Sequence, residues 1–426
     1  MGPPTREPST PWHDDESPAT TDDRRPITTP YSITMTTTTR PNVLILGGGA
    51  GGTMTANVLR RRLDANITVV DRDTTHRYQP SYYLIPFGYM DLADHQRAER
   101  SLLHDEVRFV EDTVEAIDPD DRTVVGEDET YEYDYLVVSV GNSLRPDRVD
   151  GMVEGWERTD SVFPFYHAAA AEALGDAVDD FEGGTFLVTV PDTPIKCGGA
   201  PLKLAMLMEE YLRKRGVRED AEVVMTKPGP HVFGTGPKAP YQERIEKIWA
   251  ERDITFVPNF TLDSVDYEAG IVHSEEGDEL EYDLYAPVPP QHGHEFLVER
   301  SPLTNGGEYV DVDDHTLQHR TFDDVFAVGD CADVPTSRTA SAARKQTHVV
   351  ADNIERSIAG RDLVADYDGY TACPILVEKG KAMIAEFDYE SPVSAPIVSR
   401  LNWILDINVI PSLYWNVWMR GYDPVP

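Results

Sequence analysis

The stretch that decides the fold reads NVLILGGGAGGTMTANVLRRRLDANITVVD and spans positions 42–71. An apolar strand, Asn42–Leu46, enters the turn Gly47-x-Gly49-x-x-Gly52, a helical stretch follows, and a second strand ends at Asp71. The first glycine permits a tight turn, the second lets the backbone approach a pyrophosphate, and the third allows close helix–strand packing. The helix N-terminus favours the anion, and the Asp71 carboxylate can accept a hydrogen bond from a ribose hydroxyl. The stretch therefore predicts a βαβ unit that binds a dinucleotide.

Two later segments indicate that this dinucleotide is FAD. The strand at 325–328 runs into Gly329-Asp330, which resembles the second flavin motif of flavoproteins with two dinucleotide-binding domains, where the Asp contacts the ribityl chain. The strand at 135–140 is closed by Gly141 and resembles their intermediate motif, with Ser139-Val140-Gly141 in place of Ala-Thr-Gly. FAD is the expected cofactor, and the residues expected to hold it are Gly47, Gly49, Gly52, Asp71, Gly141, Gly329 and Asp330.

A second strand series begins at 185–190 but carries no glycine fingerprint. The strand leads instead into PDTPIKCGGA at 191–200, and the next strand ends at Thr226-Lys227 rather than at a ribose-binding carboxylate. Both features argue against a nicotinamide site. Electrons should therefore enter from another donor.

The chain has three cysteines, Cys197, Cys331 and Cys373, and no C-x-x-C pair, so neither a disulfide scaffold nor a metal site is expected. Cys197 precedes a helix predicted at 201–215, with Lys203 in its first turn. A helix N-terminus and a nearby cation both stabilise a thiolate. Cys331 directly follows the flavin-type Asp330 and is interpreted as structural.

Composition limits the choice of partners. With 75 acidic and 38 basic residues the net charge is -37, which excludes a nucleic-acid binder and argues against electrostatic attraction to anionic lipid. A diffuse acidic surface with few lysines is typical of a protein from a halophile, because salt screens the self-repulsion. No apolar run is long enough to span a membrane.

The predicted fold class is α/β, with two Rossmann-like dinucleotide-binding domains in tandem and a C-terminal membrane-associating segment. Residues 1–40 are rich in Pro, Thr, Asp and Arg and are expected to be disordered. The FAD-binding domain is placed at 41–147 and 301–362, and the second Rossmann-like domain, with Cys197, at 148–300. Residues 363–426 form the predicted quinone and membrane region.

Longer motifs give the chain a more specific resemblance. PIKCGGAPLK at 194–203, VDVDDHTLQHR at 310–320, GDCADVPTS at 329–337 and GYTACP at 369–374 resemble the sulfide:quinone oxidoreductases, in the subgroup that includes the mitochondrial enzymes. AEFDY at 385–389 and YWNVWMRGY at 414–422 extend the match over roughly residues 41–422.

The resemblance implies a redox-active cysteine pair, which corresponds to Cys197 and Cys373, with Lys203 assisting. Sulfide would be oxidised through this pair and FAD, persulfide or polysulfide sulfur would go to more sulfide or to a small acceptor, and a membrane quinone would be reduced. Some family members carry a third functional cysteine earlier in the chain, and this sequence has none before Cys197.

The tail at 401–422 concentrates apolar and aromatic residues that Pro411 divides into two short pieces. Such pieces can lie in one leaflet of a membrane, which predicts peripheral association at the cell membrane, on a face that the sequence leaves open. Tyr414, Trp415 and Tyr422 are the candidates to flank a quinone. A tail that packs in the core or joins two copies of the chain is the alternative interpretation, and homo-oligomerisation stays open.

Three other functions remain to be weighed. An NADH:quinone oxidoreductase of the same fold needs the glycine fingerprint that is missing near residue 190. A flavocytochrome sulfide dehydrogenase subunit needs a haem partner and normally an export signal. A non-catalytic FAD-binding sensor needs neither the cysteine pair nor the aromatic tail.

Overall fold

This computed structural model describes residues 40–422, so the tail predicted at 1–40 lies outside the described residues except for Arg40. The elements of the first part of the chain are, in order, β1 Asn42–Leu46, α1 Ala50–Arg62, β2 Asn66–Asp71, β3 Thr75–Arg77, β4 Gln96–Ala98, α2 Glu99–Leu102, β5 Arg108–Glu111, β6 Val114–Asp118, β7 Thr123–Gly126, β8 Thr130–Glu132, β9 Tyr135–Val138, β10 Ser143–Leu144, α3 Met152–Arg158 and α4 Ala168–Asp180.

The remaining helices and strands follow in two further groups. The first group is β11 Gly184–Thr189, α5 Ala200–Arg215, β12 Ala221–Lys227, α6 Ala239–Glu251, β13 Ile254–Pro258, β14 Leu262–Asp266, β15 Ile271–Ser274, β16 Glu279–Glu281, β17 Leu284–Tyr285, β18 Gln291–His292 and α7 Glu295–Glu299. The second group is β19 Val325–Ala327, α8 Ala340–Ile358, β20 Thr371–Glu378, β21 Lys381–Phe387, α9 Arg400–Ile404 and α10 Ile410–Asn416.

A five-stranded parallel sheet carries the glycine-rich turn. Its strand order is β19-β9-β1-β2-β5, so the late strand β19 returns to lie beside β9. Its strands β1, β9 and β19 are almost entirely apolar, as expected for buried strands of a parallel sheet. The return of β19 brings Gly329-Asp330 to the edge of the sheet from which Gly47 also leaves.

A four-stranded parallel sheet with the order β13-β12-β11-β17 forms the second Rossmann-like unit. The chain passes between the two units twice. The two connecting segments run side by side, because β10 in the first pairs antiparallel with β18 in the second. Helix α5 follows β11 and is buried along most of its length. The domain boundaries at about residues 147 and 300 stay a prediction.

After α8 the chain forms the β20–β21 hairpin and then a helical segment. The hairpin packs on α5, which brings Cys373 of β20 toward the start of that helix. The prediction that Pro411 divides this segment into two separate pieces is wrong. Helix α9 continues through a π-helical turn, Leu405–Val409, into α10, and Pro411 lies in the first turn of α10. A proline is tolerated in a first helical turn because its missing N–H needs no partner there.

The tail divides into an exposed and a buried part. Tyr414, Trp415 and Met419 belong to the same apolar core as α5 and the hairpin, so the core-packing interpretation describes this part of the tail. The exposed apolar side chains lie earlier, at Val393, Ile397, Leu401 and Ile404. Among the described residues no helix is both long enough and apolar enough to cross a membrane.

Candidate active site

The glycine-rich turn forms a cradle between β1 and α1. A Cβ on Gly52 would lie 1.8 Å from the carbonyl oxygen of Gly47, so this glycine is required where helix and turn touch. A Cβ on Gly49 would meet no atom within 4 Å, because that face of the turn is open. The first turn of α1 directs its free N–H groups toward this open side, where a pyrophosphate would be stabilised.

The Asp71 carboxylate closes one end of the cradle. Its Oδ2 accepts a hydrogen bond from the Gly48 N–H at 2.5 Å, and its Oδ1 accepts one from the Asp73 N–H at 2.8 Å. Burial raises the pKa of Asp71, although both backbone hydrogen bonds oppose the shift. A carboxylate held in this way at the end of β2 is positioned to accept from ribose hydroxyls.

One pocket continues from Asp71 along the cradle to Cys197. Its lining includes Gly141, Gly329 and Asp330, together with Lys196. Burial raises the pKa of Asp330, although the positive charges of Lys196 and Arg338 oppose this shift. Gly52 lies beneath the turn instead, in the packing position that the motif predicts.

The residues of this pocket fit FAD. The open face at Gly49 leaves room for the pyrophosphate, Asp71 stands at the adenosine end, and the Asp330 carboxylate lines the middle, where ribityl hydroxyls would pass. Cys197 also lines this pocket. A flavin ring that follows this course would reach the thiol.

The structure brings Cys197 and Cys373 together although 176 residues separate them. Both are free thiols, and their Sγ atoms are 3.8 Å apart. The Nζ of Lys203 lies 3.7 Å from the Cys197 Sγ and 3.8 Å from the Cys373 Sγ. Lys203 is only 2% exposed, so water screens its charge very little.

Gly199 makes the close approach of the thiols possible. A Cβ there would lie 2.6 Å from the Cys373 Sγ, whereas one on Gly198 would meet nothing within 4 Å. Cys197 itself has a φ of +46°, a strained conformation for a residue with a side chain. Its N–H donates to the Arg338 carbonyl at 2.6 Å, and the Tyr166 hydroxyl donates to its carbonyl at 3.0 Å.

The two thiols differ in charge. The hydrogen bond from Cys373, the charge of Lys203 and the Gly199 N–H lower the pKa of Cys197 against the effect of burial. The same hydrogen bond and burial raise the pKa of Cys373. The geometry thus favours a Cys197 thiolate that accepts a hydrogen bond from a Cys373 thiol.

Cys331 lies apart from this pair. It is fully buried in the core of the first sheet, and its thiol donates to the Val138 carbonyl at 3.3 Å. Burial raises the pKa of Cys331 to about 12, so it carries no thiolate at neutral pH. Such an environment is typical of an inert, structural cysteine.

Sequence reasoning missed a carboxylate beside the thiols. Asp406 lies in the π-helical turn, is 6% exposed, and accepts a hydrogen bond from the Tyr83 hydroxyl at 3.4 Å. Lys203 is within reach of the same ring, with its Nζ 3.9 Å from the centroid of Tyr83. A signal was present, because Asp406 is the only charged residue in the run 401–419.

A second missed group surrounds Tyr414. His76 shares a hydrogen bond of 2.6 Å with the Tyr414 hydroxyl through Nε2 and one of 2.8 Å with Glu99 through Nδ1. Tyr414 lines the pocket, and Trp415 packs behind it against the edge of His76. Tyr422 is not gathered here, because its ring lies under the Arg61 guanidinium at the end of α1.

No cluster of metal-ligating side chains occurs among residues 40–422. Two thiols, one buried ammonium and one buried carboxylate lie near one another in this part of the site.

Comparison with known proteins places these features in a wider group. Residues 41–347 match the family model described as pyridine nucleotide-disulphide oxidoreductase. The chain is 31% identical to "Sulfide:quinone oxidoreductase, mitochondrial" of Mus musculus, over 89% of this chain and 86% of that one. It is 32% identical to the protein of the same name from Dictyostelium discoideum, with the same coverage.

Among solved structures, the fold is similar to that of the sulfide:quinone oxidoreductase from the hyperthermophilic bacterium Aquifex aeolicus. The TM-score is 0.78, with 20% sequence identity, over 90% of this chain and 92% of that chain. This likeness shows the mixed α/β fold.

Proposed function

Since the chain belongs to the sulfide:quinone oxidoreductases within the pyridine nucleotide-disulphide oxidoreductase family, as its motifs predicted, we propose that it oxidises sulfide at Cys197 and Cys373 and reduces a quinone. The observation that carries the proposal is the thiol pair, 3.8 Å apart, beside a buried lysine at the end of the dinucleotide pocket. Bound FAD supplies a two-electron acceptor for the sulfurs and a donor for the quinone.

The sulfur chemistry begins from the oxidised pair. Hydrosulfide attacks one sulfur of a Cys197–Cys373 disulfide, the S–S bond breaks, and a new S–S bond forms to the entering sulfur. One cysteine becomes a persulfide and the other leaves as a thiolate. A pair bridged by an additional sulfur is the alternative starting form. Which cysteine faces the flavin stays open.

Completion of the cycle needs a nucleophile for the outer sulfur. A second sulfide or a small acceptor takes that sulfur from the persulfide and leaves a second thiolate. Removal of two electrons from the two thiolates restores the disulfide.

Lys203 stabilises the anions that form during these reaction steps. Its Nζ is nearly equidistant from both sulfurs, so it stabilises a thiolate on either cysteine and attracts the incoming hydrosulfide. Burial alone would lower the pKa of Lys203, but its acidic neighbours, first Cys197 and then Cys373, Asp406 and Tyr166, together outweigh burial and raise the pKa. Lys203 therefore stays charged when a thiolate forms.

We assign the quinone and membrane contacts to the C-terminal region. Tyr414 lines the pocket and Trp415 packs behind it, so these two remain candidates to flank a quinone, whereas Tyr422 lies on Arg61. Ile397 and Leu401 are 63% and 64% exposed and, with Val393 and Ile404, form an apolar surface that would enter one leaflet. Association is then peripheral and hydrophobic, because the net charge is -37.

Flotation with neutral vesicles tests the membrane assignment. The double variant Ile397→Asn, Leu401→Asn should lose vesicle binding, since its apolar contact is gone, and should keep its FAD. The wild-type protein should stay bound in molar KCl. Release of the wild-type protein by salt alone would contradict a hydrophobic contact.

The NADH:quinone alternative is disfavoured by the second sheet. β11 leads into the loop that carries Cys197, and β12 ends at Lys227, whose charge does not suit a ribose hydroxyl contact of the usual carboxylate type. The sensor alternative leaves the strained Cys197 and its lysine without a role.

Anaerobic titration of the purified holoprotein tests the function. Sulfide should bleach the oxidised flavin band within seconds, added quinone should restore it, and NADH should have no effect. Rapid bleaching by NADH with none by sulfide would overturn the proposal.

A further inference from the structure

Asp406 is a buried carboxylate whose charge acts on Lys203 and on Cys373, and the charge of Cys197 acts on Asp406 in turn. The π-helical turn Leu405–Val409 inserts this side chain into the apolar core formed by α5, the hairpin and α10. π-Helical turns within helices occur frequently at functional sites. The Tyr83 hydroxyl joins Asp406 to the pocket, because Tyr83 both lines the pocket and donates to the Asp406 Oδ2 at 3.4 Å.

Charge balance changes during the proposed cycle. In the disulfide form neither cysteine carries charge, so Asp406 is the anion that balances Lys203. When a thiolate forms beside Lys203, that thiolate takes over this role. Two anions near one buried cation repel each other, which favours protonation of the carboxylate.

The titration of Asp406 agrees with this role. Burial raises the pKa of Asp406 to about 6, Lys203 and the Tyr83 hydroxyl oppose the shift, and the charge of Cys197 adds to it. The charged and titratable groups that face Asp406 are Lys203 from α5, Cys197 from the loop before α5, Cys373 from β20, and Tyr78 and Tyr83 from the segment after β3.

We propose that Asp406 is the proton acceptor for dissolved hydrogen sulfide, acting through the Tyr83 hydroxyl, so that the site uses neutral H₂S as well as hydrosulfide. This inference rests on the proposed function. One S–H proton of H₂S passes to Tyr83 as Tyr83 passes its proton to Asp406. The resulting hydrosulfide attacks the disulfide, the S–S bond breaks, and a new S–S bond forms.

The products are a persulfide that keeps the second hydrogen of H₂S, a thiolate next to Lys203, and a neutral Asp406. Charge is conserved, since the carboxylate has lost the negative charge that the thiolate gains. Asp406 is a positioning residue here, because it acts on the substrate through Tyr83.

The experiment follows persulfide formation in the oxidised holoprotein by rapid quench, alkylation and mass spectrometry, from about pH 6 to about pH 9. The wild-type protein should outpace Asp406→Asn by about 10-fold near pH 6, because the variant uses only the roughly one tenth of the sulfide that is already ionised there. The ratio should fall toward one near pH 9, where hydrosulfide dominates. Asp406→Glu should restore much of the acidic limb.

Infrared difference spectra give a second readout that does not depend on turnover. Sulfide added to the oxidised wild-type protein should produce the carbonyl band of a protonated carboxylic acid, and Asp406→Asn should lack that band. Asn408→Ala, in the same π-helical turn but exposed, should behave as wild type in both measurements.

The outcomes separate two failures. An equal loss at every pH in Asp406→Asn, or no change in its pH profile, would overturn the proton-acceptor role while sulfide oxidation stands. Absence of any persulfide in the wild-type protein at every pH would overturn the proposed function itself.

Discussion

Two parallel sheets open onto the same pocket, and the chain leaves them in different ways. β1 of the first sheet passes through only three residues, Gly47–Gly49, into α1. β11 of the second sheet passes through Val190–Gly199, a longer loop that carries Cys197, before α5 begins at Ala200. The same strand–turn–helix unit thus offers backbone N–H groups to an anion at one edge and holds a thiolate at the other.

The difference lies in what fills the helix N-terminus. At the first edge the open face of Gly49 leaves the space to a ligand. At the second edge the protein fills that space itself, with the Cys197 and Cys373 sulfurs and the ammonium of Lys203. We interpret the second Rossmann-like unit, which lacks a glycine fingerprint, as the part of the active site that reacts with sulfide.

The largest effect should come from removal of the thiols at the second edge. Cys197→Ser and Cys373→Ser should each lower sulfide-dependent quinone reduction by about 10³-fold or more, because a serine cannot form the S–S bond. FAD content should stay normal in both, since the first edge is untouched. The measurement is quinone reduction with sulfide as donor, normalised to bound flavin.

Cys331→Ser is the matched control for these variants, because Cys331 is a buried free thiol, as Cys373 is, but packs in the core of the first sheet. It should keep most of the activity. A protein that binds FAD normally but is no longer reduced by sulfide when Cys331 is replaced would show that the pair has been assigned wrongly.

The next largest effect should come from the addition of one methyl group at Gly199. Gly199→Ala places a Cβ 2.6 Å from the Cys373 Sγ, so the sulfurs must move apart. Sulfide-dependent flavin reduction should fall by about 10- to 100-fold, since displacement of about 1 Å at a reacting pair has effects of this size. Gly198→Ala is the control, because its Cβ meets nothing within 4 Å. Equal losses in the two variants would mean that crowding of the thiols is not the cause.

A smaller effect should follow removal of the charge at Lys203. Lys203→Gln should raise the pKa of Cys197 by about one unit or more, because the buried ammonium stabilises the thiolate and not the thiol. The rate of alkylation of the reduced protein against pH measures this pKa, and the midpoint should move to higher pH. An unchanged midpoint would leave the Cys373 hydrogen bond as the whole cause of the lowered pKa.

The two edges also differ in how far the sequence could predict them. The first is local: strand, turn, helix and acid lie within residues 42–71, so periodicity and glycine spacing predicted the contacts that the structure contains. The second joins residues 176 apart, and only the resemblance to a family paired Cys197 with Cys373.

The contacts that were missed have the same cause. Tyr83 and Asp406 are 323 residues apart, and His76 and Tyr414 are 338 apart. Such contacts depend on how the tail folds back over the pocket, and the pattern of apolar residues in the tail indicated a membrane instead. Burial of Tyr414, Trp415 and Met419 corrects that interpretation for the end of the tail.

The smallest effect should be that of salt, and it should separate the buried edges from the surface. At a net charge of -37 the surface repels itself, and the Debye length grows from ~3 Å at about 1 M salt to ~30 Å at about 0.01 M. The melting temperature should therefore rise by about 5 °C or more between low and molar KCl. Lys203 and the two sulfurs lie within 3.8 Å of one another, and Lys203 is only 2% exposed, so salt screens their interaction much less than it screens the surface charges. The pKa of Cys197, measured by alkylation, should hence stay nearly constant over the same range.

A melting temperature that does not change with KCl would contradict the halophilic interpretation of the surface. A Cys197 pKa that rises with KCl as the salt screens Lys203 would mean that the second edge is open to solvent, and the contrast between a filled and an unfilled helix N-terminus would then be lost.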